Sequence, residues 1–267
     1  MIDLTSRNHP VLTGVFGAMA MLLLSSSAAA HKTFLSAEYA VWAEGSAPEF
    51  ALTSALEFPD LETGLAQDRI AFLSAAIGGR QVSDIGFTET ETALNIRLET
   101  DATGLGVLAV STYPRSGEIP PASVELYFDE INADEPVRAA FRVLEGEPAL
   151  MRSYAKHTKI IFCVATCEDI ALAAATPVGL PLEFVMLSAA DRQFALAHDG
   201  ERLAGHQVTI HTGDGEAFVA LTDSEGVFEV VGEASGDILM SAVWIDLPDT
   251  ADGNYHSEQA TMTVRLD

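Results

Sequence analysis

Leu94, Ile96 and Leu98 alternate with Asn95, Arg97 and Glu99, the two-residue period of a strand with one buried face. The end of the chain repeats the pattern. Met262, Val264 and Leu266 share one face, and Thr261, Thr263 and Arg265 share the other. Residues 49–52 also alternate. Residues 70–77 form a continuous apolar run that stops at Gly78 and Gly79, and residues 106–113 place Val107, Ala109 and Ser111 together. Residues 159–164 are largely apolar and rich in β-branched residues, as suits a buried strand. Gly104 and Pro114 punctuate these runs.

Residues 122–145 change period. Phe128, Ile131, Val137, Phe141 and Leu144 predict helical pieces, with Ser123 before the first and a break at 132–136. Residues 171–179 are a small-residue connector. From Pro181 onward short strands recur at 183–187, 194–197, 207–211, 217–221, 227–231, 238–243 and 260–266. Gly213-Asp214-Gly215 and Asp223 to Gly226 supply turns between them. This spacing predicts a sandwich. The fold class expected is mainly β: an N-terminal β-rich domain over 31–178 with a short helical insertion, then an immunoglobulin-like β-sandwich over 179–267.

Residues 1–30 carry a different signal. Arg7 gives a basic start, residues 11–24 an apolar core, and Ala28 and Ala30 the small residues of a cleavage site before His31. The apolar run falls short of the ~20 residues that span a bilayer, and no later stretch reaches that length. No cysteine lies near the cut, which argues against a lipid anchor. The expectation is a secreted, periplasmic protein with no membrane insertion after cleavage.

The full chain has 39 acidic and 14 basic residues and a net charge of −25. Such a chain repels nucleic acid and anionic lipid. It favours cations, although scattered acids also serve solubility. After export, Cys163 and Cys167 meet an oxidising compartment. A sharp turn between them would permit a disulfide. An extended segment would separate them by about 13 Å, leaving a thiolate metal pair or free thiols.

The chain has no P-loop, dinucleotide glycine fingerprint, nucleophile elbow or His-Glu-x-x-His motif. Catalysis is therefore not the expectation. His31 would present an α-amine and an imidazole after cleavage, a chelate suited to Cu(II) or Ni(II). Candidate partners are His157, His198, His206, His211 and His256, although each can equally be a surface or core histidine. His206 and His211, five apart, fall on opposite faces of a straight strand. Asp246, Asp249 and Asp252 could offer oxygen ligands to Ca²⁺ or simply make a solvated acidic loop. Trp42 and Trp244 are read as packing residues.

Three stretches together resemble the domain-of-unknown-function 4198 family, exported bacterial proteins labelled as periplasmic components of cobalt or nickel uptake. They are His31-Lys-Thr-Phe-Leu35 with the strands reaching Leu56, then Arg152 to Lys156 with Gly179 to Val185, and then Gly200 to Val231 with Tyr255-His256-Ser257. The third is also similar to transthyretin-like and collagen-adhesin B-type sandwiches. The resemblance implies divalent metal binding, with His31 and His256 as ligands. Related chains carry Gly-His-Gly after the second strand, where this one reads Leu52-Thr-Ser-Ala-Leu56.

The expected function is a non-catalytic, divalent-metal-binding accessory protein of nickel, cobalt or copper uptake. Its partners would be the metal ion and a membrane transporter or outer-membrane receptor. The alternatives are a metal-free envelope interaction module and a copper monooxygenase with an N-terminal histidine brace. The first expectation requires His31 and His256 to converge near the domain interface.

Overall fold

The computed structural model describes residues 31–167, 175–232, 234–250 and 253–266. The expected signal segment, residues 171–174 of the small-residue connector and Asp252 lie outside these. The protein is mainly β, as the alternation predicts. Its longer strands are β1 (Lys32–Ser36), β2 (Glu49–Ala55), β3 (Ile70–Ile77), β4 (Ile85–Glu89), β5 (Leu94–Leu98), β6 (Gly104–Thr112) and β7 (Arg115–Ile119). Two short helices follow, α1 (Val124–Glu130) and α2 (Glu135–Arg142). Then come β8 (Leu150–Val164), β9 (Leu182–Ser188), β10 (Gln193–His198), β11 (Gln207–Thr212), β12 (Ala217–Leu221), β13 (Val227–Glu229), β14 (Gly236–Asp246) and β15 (Tyr255–Leu266).

The central sheet runs β12-β11-β14-β15-β8-β6-β3, with β7 also pairing along β8. At its middle β8 and β15 pair in parallel, Ser153 opposite His256 and His157 opposite Ala260. One smaller sheet, β1-β2-β5-β4, covers one face of this sheet, and another, β9 and β10 with β13, covers the other. The position expected to divide two domains, between 178 and 179, thus separates strands that share one sheet. Each side still keeps its own core. Phe50, Leu52, Leu94, Ile96, Ile160 and Phe162 fill the first. Phe184, Phe194, Val208, Ile210, Met240 and Met262 fill the second.

The faces of the two central strands follow from alternation. On β8, Ile160, Phe162 and Val164 enter the first core while Ile161 enters the second. Phe162 lies flat over Gly106, where an added Cβ would come within 2.3 Å of the ring, so the close approach requires glycine. On β15, Ala260, Met262, Val264 and Leu266 enter the second core. The hydroxyls of Thr261 and Thr263 donate to the carbonyls of Thr33 and Leu35 on β1, at 2.7 and 2.6 Å.

The second half is tied to β8 by a buried ion pair. Lys159 Nζ donates to the Glu183 carboxylate, and the backbone N–H groups of Val178, Gly179 and Leu180 donate to the same carboxylate. Lys159 and Glu183 are 1% and 2% exposed. An isolated charge at that depth costs several kcal/mol, so each depends on the other.

The helical insertion begins at Val124 and breaks after α1, as its sequence predicts. Ser123 occupies the N-cap position, but its side chain makes no capping hydrogen bond. Val124, Tyr127, Phe128 and Val137 pack on Leu150, Ile245 and Tyr255, at the end of the sheet where β8 and β15 begin. Cys163 and Cys167 form a disulfide, with Cα atoms 5.9 Å apart. Ala165, at φ 65°, supplies the turn that the short spacing demands.

Candidate functional site

The second-core face of β8 and β15 carries a cluster of three histidines around one carboxylate. His256 and Glu258 are two apart on β15 and so share a face. The parallel register sets β8 beside them, which brings Ser153 and His157 to the same face. His198, the last residue of β10, reaches in from the covering sheet. His198 Nε2 lies 3.1 Å from one Glu258 oxygen. His256 Nε2 and His157 Nε2 lie 3.5 and 3.8 Å from the other.

The far nitrogens of two rings are held. Ser111 Oγ is 2.7 Å from His157 Nδ1, and Ser153 Oγ is 2.8 Å from His256 Nδ1. A serine hydroxyl both donates and accepts, so it can hold an imidazole in either tautomer. His198 is fixed differently, stacked on the Trp244 indole with ring centres 4.8 Å apart. Trp244 in turn donates to Asp246 at 2.7 Å. The buried Nε2 of His157 has no hydrogen-bond partner.

Exposure rises from 3% at the His157 side chain through 18% at His198 to 37% at His256, so the cluster opens to solvent at one end. Burial alone would push the Glu258 carboxyl up. The three imidazoles gathered around it, His157 first, outweigh burial and hold the group below the usual carboxylate range. Among the described residues no three side chains enclose an ion-sized point. The imidazoles instead surround the carboxylate.

The structure does not bring His31 and His256 together. His31 precedes β1, which lies on the Thr261 and Thr263 face of β15, whereas His256 lies on the opposite face with Glu258. His31 Nε2 is 3.7 Å from Glu62, and no other histidine lines the cavity beside it. The two residues expected to converge therefore lie on opposite faces of the central sheet, and His256 falls within β15 rather than before it. Glu258 was legible as the next residue on the same face. His157 depended on the register of a parallel pair distant in sequence.

The other candidates separate. His206 lies beside Trp244, and burial lowers its pKa. His211 turns to Ser241 at 3.2 Å, and burial first, then Lys32, lowers its pKa to about 4. Asp246 is engaged by Trp244, and Asp249 is exposed. Trp42 packs against Phe50 of the first core, as expected of a packing residue.

No family model matches the chain, and no curated protein is similar to it. Among solved structures it is similar to a Ca²⁺-stabilized adhesin with which an Antarctic bacterium binds ice, at TM-score 0.21 and 14% identity, over 89% of this chain and 50% of that one. It is similar to the D0-D1 domain of intimin at TM-score 0.19 and 12% identity, over 87% and 97% of the two chains. It is similar to SGBP-B of a Bacteroides ovatus mixed-linkage glucan utilization locus at TM-score 0.19 and 9% identity, over 85% and 43%. The chain spans half the length of the first of these.

Proposed function

We propose that this chain is an exported, non-catalytic protein that binds a divalent transition metal through His157, His198, His256 and Glu258. The observation that carries this reading is the convergence of three imidazole Nε2 atoms on one carboxylate, with two of the rings held from behind by serine hydroxyls. Imidazole with carboxylate suits nickel, cobalt, copper and zinc. Hydrogen bonds to the far nitrogen are how proteins aim and tune metal-binding histidines. In the metal-bound form each serine would accept from Nδ1–H, leaving the Nε2 lone pair for the ion. Protons compete for that lone pair, so affinity falls on acidification.

The signal-like residues 1–30 and the Cys163–Cys167 disulfide support an oxidising, periplasmic setting. The resemblance to uptake components supports a role in capturing nickel, cobalt or copper for a membrane transporter or outer-membrane receptor. The test is calorimetric titration of the chain beginning at His31 with Ni²⁺, Co²⁺ and Cu²⁺. Glu258→Gln and His198→Ala should each weaken binding by tenfold or more, on the order of the loss of one charge-assisted ligand. One extra alanine before His31 should leave it unchanged. Binding that collapses only in the extended chain would instead place the metal on the N-terminal chelate.

A metal-free interaction module is the second reading. It draws on the edge strand β12, whose Val219 and Leu221 are 57% and 62% exposed. Absence of saturable metal binding in every sample would favour it.

A further inference from the structure

The opposite face of β8 presents Arg152, Tyr154 and Lys156 to the side covered by β1 and β2. Lys156 and Tyr154 line a cavity of about 710 Å³ together with Arg115, Arg69 and His31. That volume is in the range of sites for small organic molecules. Lys156 Nζ is tucked under the chain and donates to the His31 carbonyl at 2.7 Å. Arg69 donates to the Tyr113 carbonyl. Arg152 stands behind them between two aromatic rings, 4.7 Å from the centre of Tyr127 and 4.5 Å from that of Tyr154. Its hydrogen bonds go to the hydroxyls of Tyr127 and Ser257.

Among the described residues none of these four cations has a carboxylate within ion-pair distance, although the chain has 39 acidic residues to 14 basic ones. Elsewhere among the described residues most cations are paired, Lys32 and Arg202 being exceptions. Arg80, Arg97, Arg138, Arg142, Lys159 and Arg265 each meet an aspartate or glutamate. Among the cavity-lining residues the one carboxylate is Asp68, with Glu62 beside His31 at the rim. Burial first, and then the like charges of Arg152 and Arg115, lower the Lys156 pKa to about 8. Unpaired, partly buried like charges oppose folding, so their clustering in one cavity calls for a counter-charge.

We infer that this cavity binds a small organic anion bearing carboxylate or phosphate groups, held by Lys156, Arg115 and Arg69. Guanidinium forks donate two N–H groups at a time to the oxygens of such groups, and the ammonium acts as a point charge between them. Tyr154 and the Thr112 hydroxyl provide neutral donors on the same wall. The site does not depend on the histidine cluster around Glu258, which lies on the other face of the sheet.

The experiment is calorimetric titration of the chain beginning at His31 with citrate, glycerol 3-phosphate and inorganic phosphate, with glycerol as the neutral blank. Saturable binding of citrate or glycerol 3-phosphate is expected, weakening as salt is raised. A response to citrate alone identifies carboxylate as the recognised group, and a response to the two phosphates identifies phosphate. Lys156→Met and Arg115→Gln should each reduce affinity about tenfold or more. Arg115 is exposed, so its variant tests the site without disturbing a packed residue. Glu258→Gln should leave anion binding intact. No saturable binding of any anion, or binding unaffected by both cavity substitutions, would overturn the inference.

Discussion

The two faces of β8 solve the burial of charge in opposite ways. Toward the second core, His157 and Lys159 each find a carboxylate, Glu258 and Glu183, delivered by a neighbouring strand. Toward the first, Lys156 and Arg152 find carbonyls, hydroxyls and aromatic rings but no carboxylate. The residues alternate one by one along a single strand. The difference therefore comes from what the surrounding strands supply, Glu258 from β15 in the same sheet and Glu183 from β9 in the covering one. Where the charges are balanced, the arrangement is self-sufficient or ready for a cation. Where they are not, it is suited to an anion.

The largest effect should come from breaking the balanced side. Glu183→Ala strands the Lys159 ammonium and frees three backbone donors, at a cost of about 3–5 kcal/mol. Chemical denaturation should show it, and Lys159→Met with Glu183→Leu should recover much of the loss. The unbalanced side should respond with the opposite sign. Lys156→Met removes an ammonium that has no carboxylate, and stability at neutral pH should rise by roughly 1–2 kcal/mol. Its lowered pKa means that the unfolded chain binds the proton more tightly. The Lys156 penalty is thus complete below about pH 8 and fades as pH climbs toward the ordinary lysine value. In Lys156→Met that alkaline gain should vanish.

A smaller effect is expected at His211, which stays neutral because burial and then Lys32 bring its pKa to about 4. The unfolded state takes up the proton first, so stability should fall as pH drops from about 6.5 toward 4. With the ring partly solvated, the effect is about 1–2 kcal/mol. His211→Gln should flatten thermal denaturation midpoints over that window.

Much of the fold was legible because the signals are local. Leu94, Ile96 and Leu98 are buried with Arg97 outside, and Met262, Val264 and Leu266 enter one core, as period two requires. The helical break after α1 and the turn between Cys163 and Cys167 were also local matters. The candidate site was only half legible. His256 was identified from its place before the last strand, but its companions come from β8, from β10 and, through Ser111, from β6. A parallel pairing between strands about a hundred residues apart leaves no local mark. His31 drew attention through its place at the expected cleavage point, yet β1 packs on the other face of the sheet. The cationic cavity escaped notice for a related reason. Arg69, Arg115, Arg152 and Lys156 are dispersed in sequence, and net charge averages them away against 39 acids.

The most direct test of the central claim is a crystal of the protein soaked in Co²⁺ and measured at the cobalt absorption edge. The account predicts an anomalous peak among the Nε2 atoms of His157, His198 and His256 and the Glu258 carboxylate, absent in Glu258→Gln. A peak only beside His31 and Glu62, or none at a concentration that saturates the protein in solution, would contradict it.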